Sequence, residues 1–233
     1  EREWQVIKGQ FEVHLKAERG LAPLTIRNYT TDIQALYEYI RLRGVKSLKA
    51  LDKELLRSYL AWLIALGYVR ASVARKVTAL RIFLNWLLRQ RLIDVDPLPK
   101  RGIMKLDSRL PRFLSQEEAA VLVQAPDTSN PLKLRDRAIL ELLYGAGLRV
   151  SEATALNVDQ INLVTRELRV TGKGTKERMV LIGMPARDVL GLYLEEVRPI
   201  LIRHNSEQAL FLTRFGSRLS QRSIQNKVRR YAR

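Results

Sequence analysis

Apolar residues recur every three or four positions from Trp4 to Leu87, which predicts helices rather than strands. Trp4, Ile7, Phe11 and Leu15 trace one stripe, and Gly20 supplies a C-terminal stop. A second helix enters near Pro23, runs through Ile26, Tyr29, Ile33, Leu36 and Ile40, and ends at Gly44. Asp52 is placed to cap a third, which carries Leu56, Tyr59, Leu60 and Leu63 and stops at Gly67. Val73, Val77, Leu80, Leu84 and Leu87 form the stripe of a fourth. At about 100° per residue, Arg75, Thr78 and Arg89 point away from that stripe, and Lys76 and Arg81 flank it. Ile82 and Trp86 fall on the outer side as well, where a neighbouring domain or subunit is expected to cover them.

The pattern breaks at residues 94–111, where three prolines and a glycine oppose a continuous helix. A linker over 98–111 then separates a helical domain (1–97) from a second domain (112–233). Ser115 and Glu118 have the spacing of a capping box, and a longer helix is expected over Leu132–Tyr144, closed by Gly145 and Gly147. Two short runs, Glu167–Thr171 and Glu177–Ile182, flank a Gly-rich turn and read as a β-hairpin, with a further strand expected at Ile161–Val164. Helical patterning returns over Ala186–Arg203 and Leu219–Arg233. The fold class is therefore mainly α in two domains, four helices followed by a mixed domain with a small antiparallel sheet.

Charge narrows the partners. Across 233 residues, 41 Lys and Arg oppose 24 Asp and Glu, a net charge of +17 that favours a polyanion. The excess is shared, +8 over residues 1–100 and +9 over 101–233, so it is not a basic tail. Leu55 to Ile93 holds seven basic residues (Arg57, Arg70, Arg75, Lys76, Arg81, Arg89 and Arg91) and no acid. Seven more follow Glu207, again without an acid. Two acid-free zones suggest two surfaces gripping one long partner; solvated helix faces are the plainer alternative. With no cysteine, disulfides, zinc thiolates and thiol nucleophiles are excluded. The two histidines, His14 and His204, have no acidic cluster at ligand spacing, so neither metal nor cofactor is expected. No apolar run approaches the roughly 20 residues of a membrane span, and the start does not resemble a signal peptide, so a soluble cytoplasmic protein is expected.

Two stretches carry candidate chemistry. Arg149 follows Gly145-Ala146-Gly147-Leu148, and Ser151-Glu152 opens the next helix. A guanidinium beside helix N–H groups presents donors to the same anion oxygens. Lys173 lies between Gly172 and Gly174 at the hairpin tip, where glycines permit close approach to a backbone. A nucleotide-binding P-loop is rejected, because the order of glycine and lysine is wrong and a strand follows. Alone, each signal is weak: most such arginines are structural or solvated, and lysine often decorates an ordinary polar turn.

Together, Ala146-Gly147-Leu148-Arg149-Val150-Ser151-Glu152 and Gly172-Lys173-Gly174-Thr175-Lys176-Glu177-Arg178 resemble the tyrosine recombinase (phage integrase) family, especially its Xer-like branch. Leu15-Lys16-Ala17-Glu18-Arg19-Gly20-Leu21, then Thr25 and Tyr29, is similar to the start of that family's core-binding domain. Phe211, Gly216, Leu219-Ser220 and Tyr231-Ala232 resemble the approach to its later catalytic motifs, so the likeness spans nearly the whole chain.

The resemblance implies a SAM-like helical domain and a catalytic domain clamping duplex DNA, with a tyrosine attacking the scissile phosphate to leave a 3′-phosphotyrosine and a free 5′-hydroxyl. Arg149 would bind non-bridging phosphate oxygens, Lys173 would protonate the leaving 5′-oxygen, and Glu152 would support Arg149 from behind. Losing one such charge-stabilising donor costs about a hundred- to a thousandfold in rate. Thr25, Arg27, Arg75, Lys76, Arg81, Lys176 and Arg178 are the expected DNA contacts.

A tetramer on two duplexes is implied for the full-length protein. The family's second arginine, in a His-x-x-Arg motif, and its nucleophile are not found here; Tyr231 falls too early to be assigned. The chain is thus expected to bind DNA without cleaving it. Two rivals stay open: an integrase-derived architectural or competitor DNA-binding protein, and a helical regulator of RNA or acidic proteins.

Overall fold

The computed structural model describes residues 2–45, 47–98, 113–172, 176–204 and 207–233. The chain divides into two compact units, residues 1–110 and 111–233. All of the expected linker except Leu98 lies outside the described residues.

The first unit is built from α1 (Arg2–Ala17), α2 (Pro23–Leu42), α3 (Lys53–Ala65) and α4 (Arg70–Arg89). Their ends follow local chemistry. Pro23 opens α2, and Asp52 caps α3 by accepting from the Leu55 amide at 2.7 Å.

The α4 stripe of Val73, Leu80, Leu84 and Leu87 is buried as expected. Trp86 is a correction. It is buried in an aromatic cluster with Phe11 (ring centroids 5.3 Å) and Phe83 (6.0 Å), and Phe83 also meets Phe11 (5.0 Å) and Trp4 (5.9 Å). The apolar arc of α4 is wider than its single stripe because α1 lies against the face that a lone helix would leave bare. Ile82 packs, partly buried, against the same core. No second domain or subunit is needed to cover either residue.

The second unit holds α5 (Gln116–Gln124), α6 (Pro131–Gly145), α7 (Val150–Ala155), β1 (Ile161–Asn162), β2 (Glu167–Thr171), β3 (Glu177–Leu181), α8 (Met184–Leu192), α9 (Arg198–Leu201) and α10 (Gln221–Tyr231). The Ser115–Glu118 capping box is present. The strands form an antiparallel sheet in the order β1-β2-β3, with Leu168 opposite Val180 and Val170 opposite Arg178.

Two predicted elements differ from expectation, one in length and one in regularity. β1 stops at Asn162 because that side chain accepts from the Val164 and Thr165 amides (2.9 and 3.0 Å), folding the chain into a turn. The helix expected over Ala186–Arg203 is broken by a π-type turn at Tyr193–Val197. Pro199 has no N–H for the carbonyl four residues back, and the Tyr193 hydroxyl is anchored on the Leu210 carbonyl at 2.9 Å.

The core of this unit gathers Leu142, Leu168, Val170, Leu190, Tyr193, Phe211 and Ile224. Among the described residues, no helix is long and apolar enough to cross a membrane.

Candidate functional site

Gly147 ends α6 in the left-handed region, with φ +60°. The chain folds back there, so that the Leu148 amide donates to the Leu142 carbonyl at 3.5 Å and Ala146 donates to the same oxygen at 3.2 Å. Two residues later Arg149 is the N-cap of α7 with an extended backbone. The glycine thus sets both the end of one helix and the place where the arginine emerges.

Glu152, one turn into α7, is the centre of the site. Its Oε2 accepts from the Arg149 backbone N–H at 2.9 Å and its Oε1 from Arg149 Nη1 at 2.9 Å. Arg178 on β3 supplies a two-pronged contact, Nη1 to Oε1 and Nη2 to Oε2, both at 2.9 Å. Four donors saturate a carboxylate. The Glu152 side chain is only 3% exposed. Its carboxyl is nevertheless held well below the usual range, at about 2, first by the Arg178 hydrogen bonds and then by Arg149, against the opposing effect of burial. Two guanidinium groups on one carboxylate leave a net positive site. Arg149 is 73% exposed, so most of its side chain is open to solvent.

Gly172 closes the described side of the hairpin by donating its N–H to the Lys176 carbonyl at 2.8 Å. A Cβ at Gly172 would stand 3.4 Å from that carbonyl, 3.5 Å from Arg178 Nη1 and 3.8 Å from Glu152 Oε1. The base of the hairpin therefore lies against the Glu152 cluster, within ordinary contact distance of it. Lys173 itself lies outside the described residues. Lys176 is exposed at the start of the returning strand.

The other expected contacts divide. Thr25 lies in the first turn of α2, half-buried, and Arg27 and Arg81 are exposed. Arg75 is 43% exposed and pairs with Asp32, which is 1% exposed. Lys76 is a correction, since it is not at the surface. It is 4% exposed, and its ammonium donates to Asp32 Oδ1 at 2.9 Å. Asp32 sits on α2, far away in sequence, and holds Lys76 in the interior while Arg75 reaches it from the surface.

Arg178 was expected to face DNA. Its register opposite Val170 puts it on the face of the sheet that carries Leu168 and Val170, where its guanidinium reaches Glu152 while the side chain stays 41% exposed. Strict alternation from half-buried Val180 would have found this.

A second cluster fixes α10. Asp136 on α6 accepts from Arg135 (Nε 3.1 Å, Nη2 2.8 Å), from Lys227 Nζ at 2.8 Å and from the Tyr231 hydroxyl at 3.1 Å. Arg218 donates to the Thr154 and Leu156 carbonyls at 2.9 and 3.1 Å. Two members of the second acid-free zone, Arg218 and Lys227, thus bond within the fold, while Arg214, Arg222, Arg229, Arg230 and Arg233 are exposed. Burial first, then Asp136, pushes the Tyr231 hydroxyl up to about 12. Among the described residues, no group of histidines and carboxylates could hold a metal ion.

Both units match known families. Residues 9–91 match the phage integrase N-terminal SAM-like domain, and residues 112–233 match the phage integrase family. The chain belongs to the phage integrase family of tyrosine recombinases. Its similarities lie with the Xer-like branch.

Tyrosine recombinase XerC of Pelotomaculum thermopropionicum is 39% identical over 230 residues, covering 95% of this chain and 75% of that protein. Tyrosine recombinase XerD of Staphylococcus epidermidis is 34% identical over 217 residues, covering 93% and 74%. In fold, the chain is similar to the crystal structure of XerH site-specific recombinase bound to palindromic difH substrate in a post-cleavage complex. That match has a TM-score of 0.72 at 21% identity and covers 97% of this chain and 67% of the other.

Proposed function

We propose that this chain belongs to a site-specific recombinase that cuts and rejoins duplex DNA through a 3′-phosphotyrosine, and that these residues grip the duplex and polarise the scissile phosphate. The observation that carries the reading is Arg149, exposed at its tip yet fastened at its base to a buried, fully ionised Glu152. A guanidinium held in place loses little freedom when it meets phosphate, and it stabilises charge that grows on the non-bridging oxygens. Lys173, which directly follows Gly172 in the chain, is the general acid for the leaving 5′-oxygen. Glu152 positions Arg149.

Thr25, Arg27, Arg75 and Arg81 in the helical domain and Lys176 at the hairpin meet the DNA backbone or base edges. Lys76 is not among them, because its ammonium already serves a buried carboxylate. The XerH neighbour is described as bound to its difH substrate, which supports duplex DNA as the partner. A tetramer on two duplexes is the assembly that such strand exchange requires.

The chain binds without cleaving. Tyr231 donates its proton to Asp136, and its hydroxyl is pushed up to about 12, so attack by its oxygen would need a costly deprotonation beside an anion. The same observation favours a second reading, a non-catalytic DNA-binding protein derived from an integrase. A suicide duplex that traps covalent intermediates tests the claim: the purified chain should shift the DNA in a native gel yet leave no adduct that survives denaturation. A tyrosine-linked adduct would refute it.

A further inference from the structure

Arg178 has a job that neither phosphate contact nor simple packing describes. One buried carboxylate faces two guanidinium groups, and the geometry divides it unequally. Arg178 takes both oxygens in a parallel fork, whereas the Arg149 side chain reaches only Oε1, through Nη1. A fork on a carboxylate is the stronger and more directional arrangement. Arg149 is a long side chain rooted three residues from Glu152, and nothing in that spacing prevents it from making the fork itself.

We propose that Arg178 is a positioning residue that occupies Glu152 and thereby keeps the guanidinium of Arg149 available to a DNA phosphate. The inference rests on the functional reading above. Without Arg178, the two oxygens of Glu152 lose their main partner inside a nearly closed site. An ionised carboxylate left short of donors there is costly, so Arg149 turns inward to satisfy it and its outward N–H groups are withdrawn. The low value held by Glu152, set first by Arg178, agrees with that division.

The register explains how the strand delivers this residue. Arg178 is paired with Val170, and period-2 alternation puts both on the Glu152 side of the sheet, opposite to Met179 and Leu181, although Arg178 stays 41% exposed. On that side its guanidinium finds Glu152 and holds both of its oxygens. Arg178 also lies 3.5 Å from the site of a Gly172 Cβ, so one contact joins the Arg149 helix to the strand that follows the hairpin tip.

Affinity for a labelled mixed-sequence duplex, measured by fluorescence anisotropy over a salt series, tests the idea in five proteins: the parent chain, Arg149→Ala, Arg178→Ala, Arg178→Lys and the double variant Arg178→Ala/Glu152→Gln. Arg149→Ala should weaken binding about tenfold, the size of one charge-assisted contact, and lower the salt slope by about one. Arg178→Ala should reproduce both changes although Arg149 is intact. The double variant should recover most of the loss, because a neutral amide no longer draws Arg149 inward. Arg178→Lys, with one ammonium for two oxygens, should fall between parent and Arg178→Ala; if Arg178→Ala does not unfold cooperatively, the lysine variant with and without Glu152→Gln carries the comparison.

A double variant that binds no better than its Arg178 parent overturns the inference and makes Arg178 a direct DNA contact. Unchanged affinity in the Arg178 variants overturns it too. If Arg149→Ala alone binds like the parent, the functional reading itself fails and the inference falls with it.

Discussion

At Glu152 a single carboxylate accepts from a backbone amide and from two guanidinium groups, and the consequence is a pH dependence with a defined sign. Its folded-state value, about 2, lies below the usual 4.5. The stabilisation is therefore complete above pH 4.5 and is lost as the pH falls through that window toward 2. It amounts to roughly 3 kcal/mol by linkage. Denaturant midpoints of the parent chain and Glu152→Gln, taken at several values between pH 6 and about 2, should converge as the acid limit is approached. Curves that stay parallel would mean that the carboxylate is not ionised in the way described. Arg149 and Glu152 could be read from the sequence because both lie on one local motif. Arg178 could not be placed with them by its spacing from either, since its contact with Glu152 spans 26 positions and depends on strand register.

Helix α4 shows how an element acquires its second face. Its leucine and valine stripe is visible in the sequence, but Phe83 and Trp86 are buried only because α1 brings Trp4 and Phe11 against them. Phe83→Ala removes a ring that touches Trp4, Phe11 and Trp86, and should cost about 3–5 kcal/mol in a denaturant titration. A loss below 1 kcal/mol, well under that range, would show that the cluster contributes little to folding. Caps and glycine stops placed the helix ends well, because they act within a turn of the residue concerned. The π-type turn at Tyr193–Val197 was not foreseen: Pro199 marks its end locally, but the Tyr193 hydroxyl bond to a carbonyl 17 positions away is a tertiary contact.

Across the whole molecule the excess of 17 positive charges is not all available to a partner. Lys76 serves Asp32 from a buried position and Lys227 serves Asp136, while Arg75 and Arg178 are each paired with a buried acid yet stay partly exposed. The exposed cations should still govern DNA binding through counterion release. A duplex clamp with about six to ten phosphate contacts should lose about three to five orders of magnitude in affinity between about 50 and 200 mM salt. A flat salt response would point to a different partner, such as an acidic protein surface. Arg27→Ala and Arg81→Ala should each lower the slope by about one, with unchanged thermal unfolding.

By itself the sequence determined what local forces decide: four helices and their caps, a short hairpin, the glycine before Arg149 and the order of motifs that marks the family. Tertiary structure alone decided which cations face outward. The partner carboxylates lie 26, 44 and 91 positions from Arg178, Lys76 and Lys227, and a charge count along the chain does not register such pairings. Burial makes an unpaired carboxylate costly, so Asp32, Asp136 and Glu152 each hold a basic residue that lies far away in the chain.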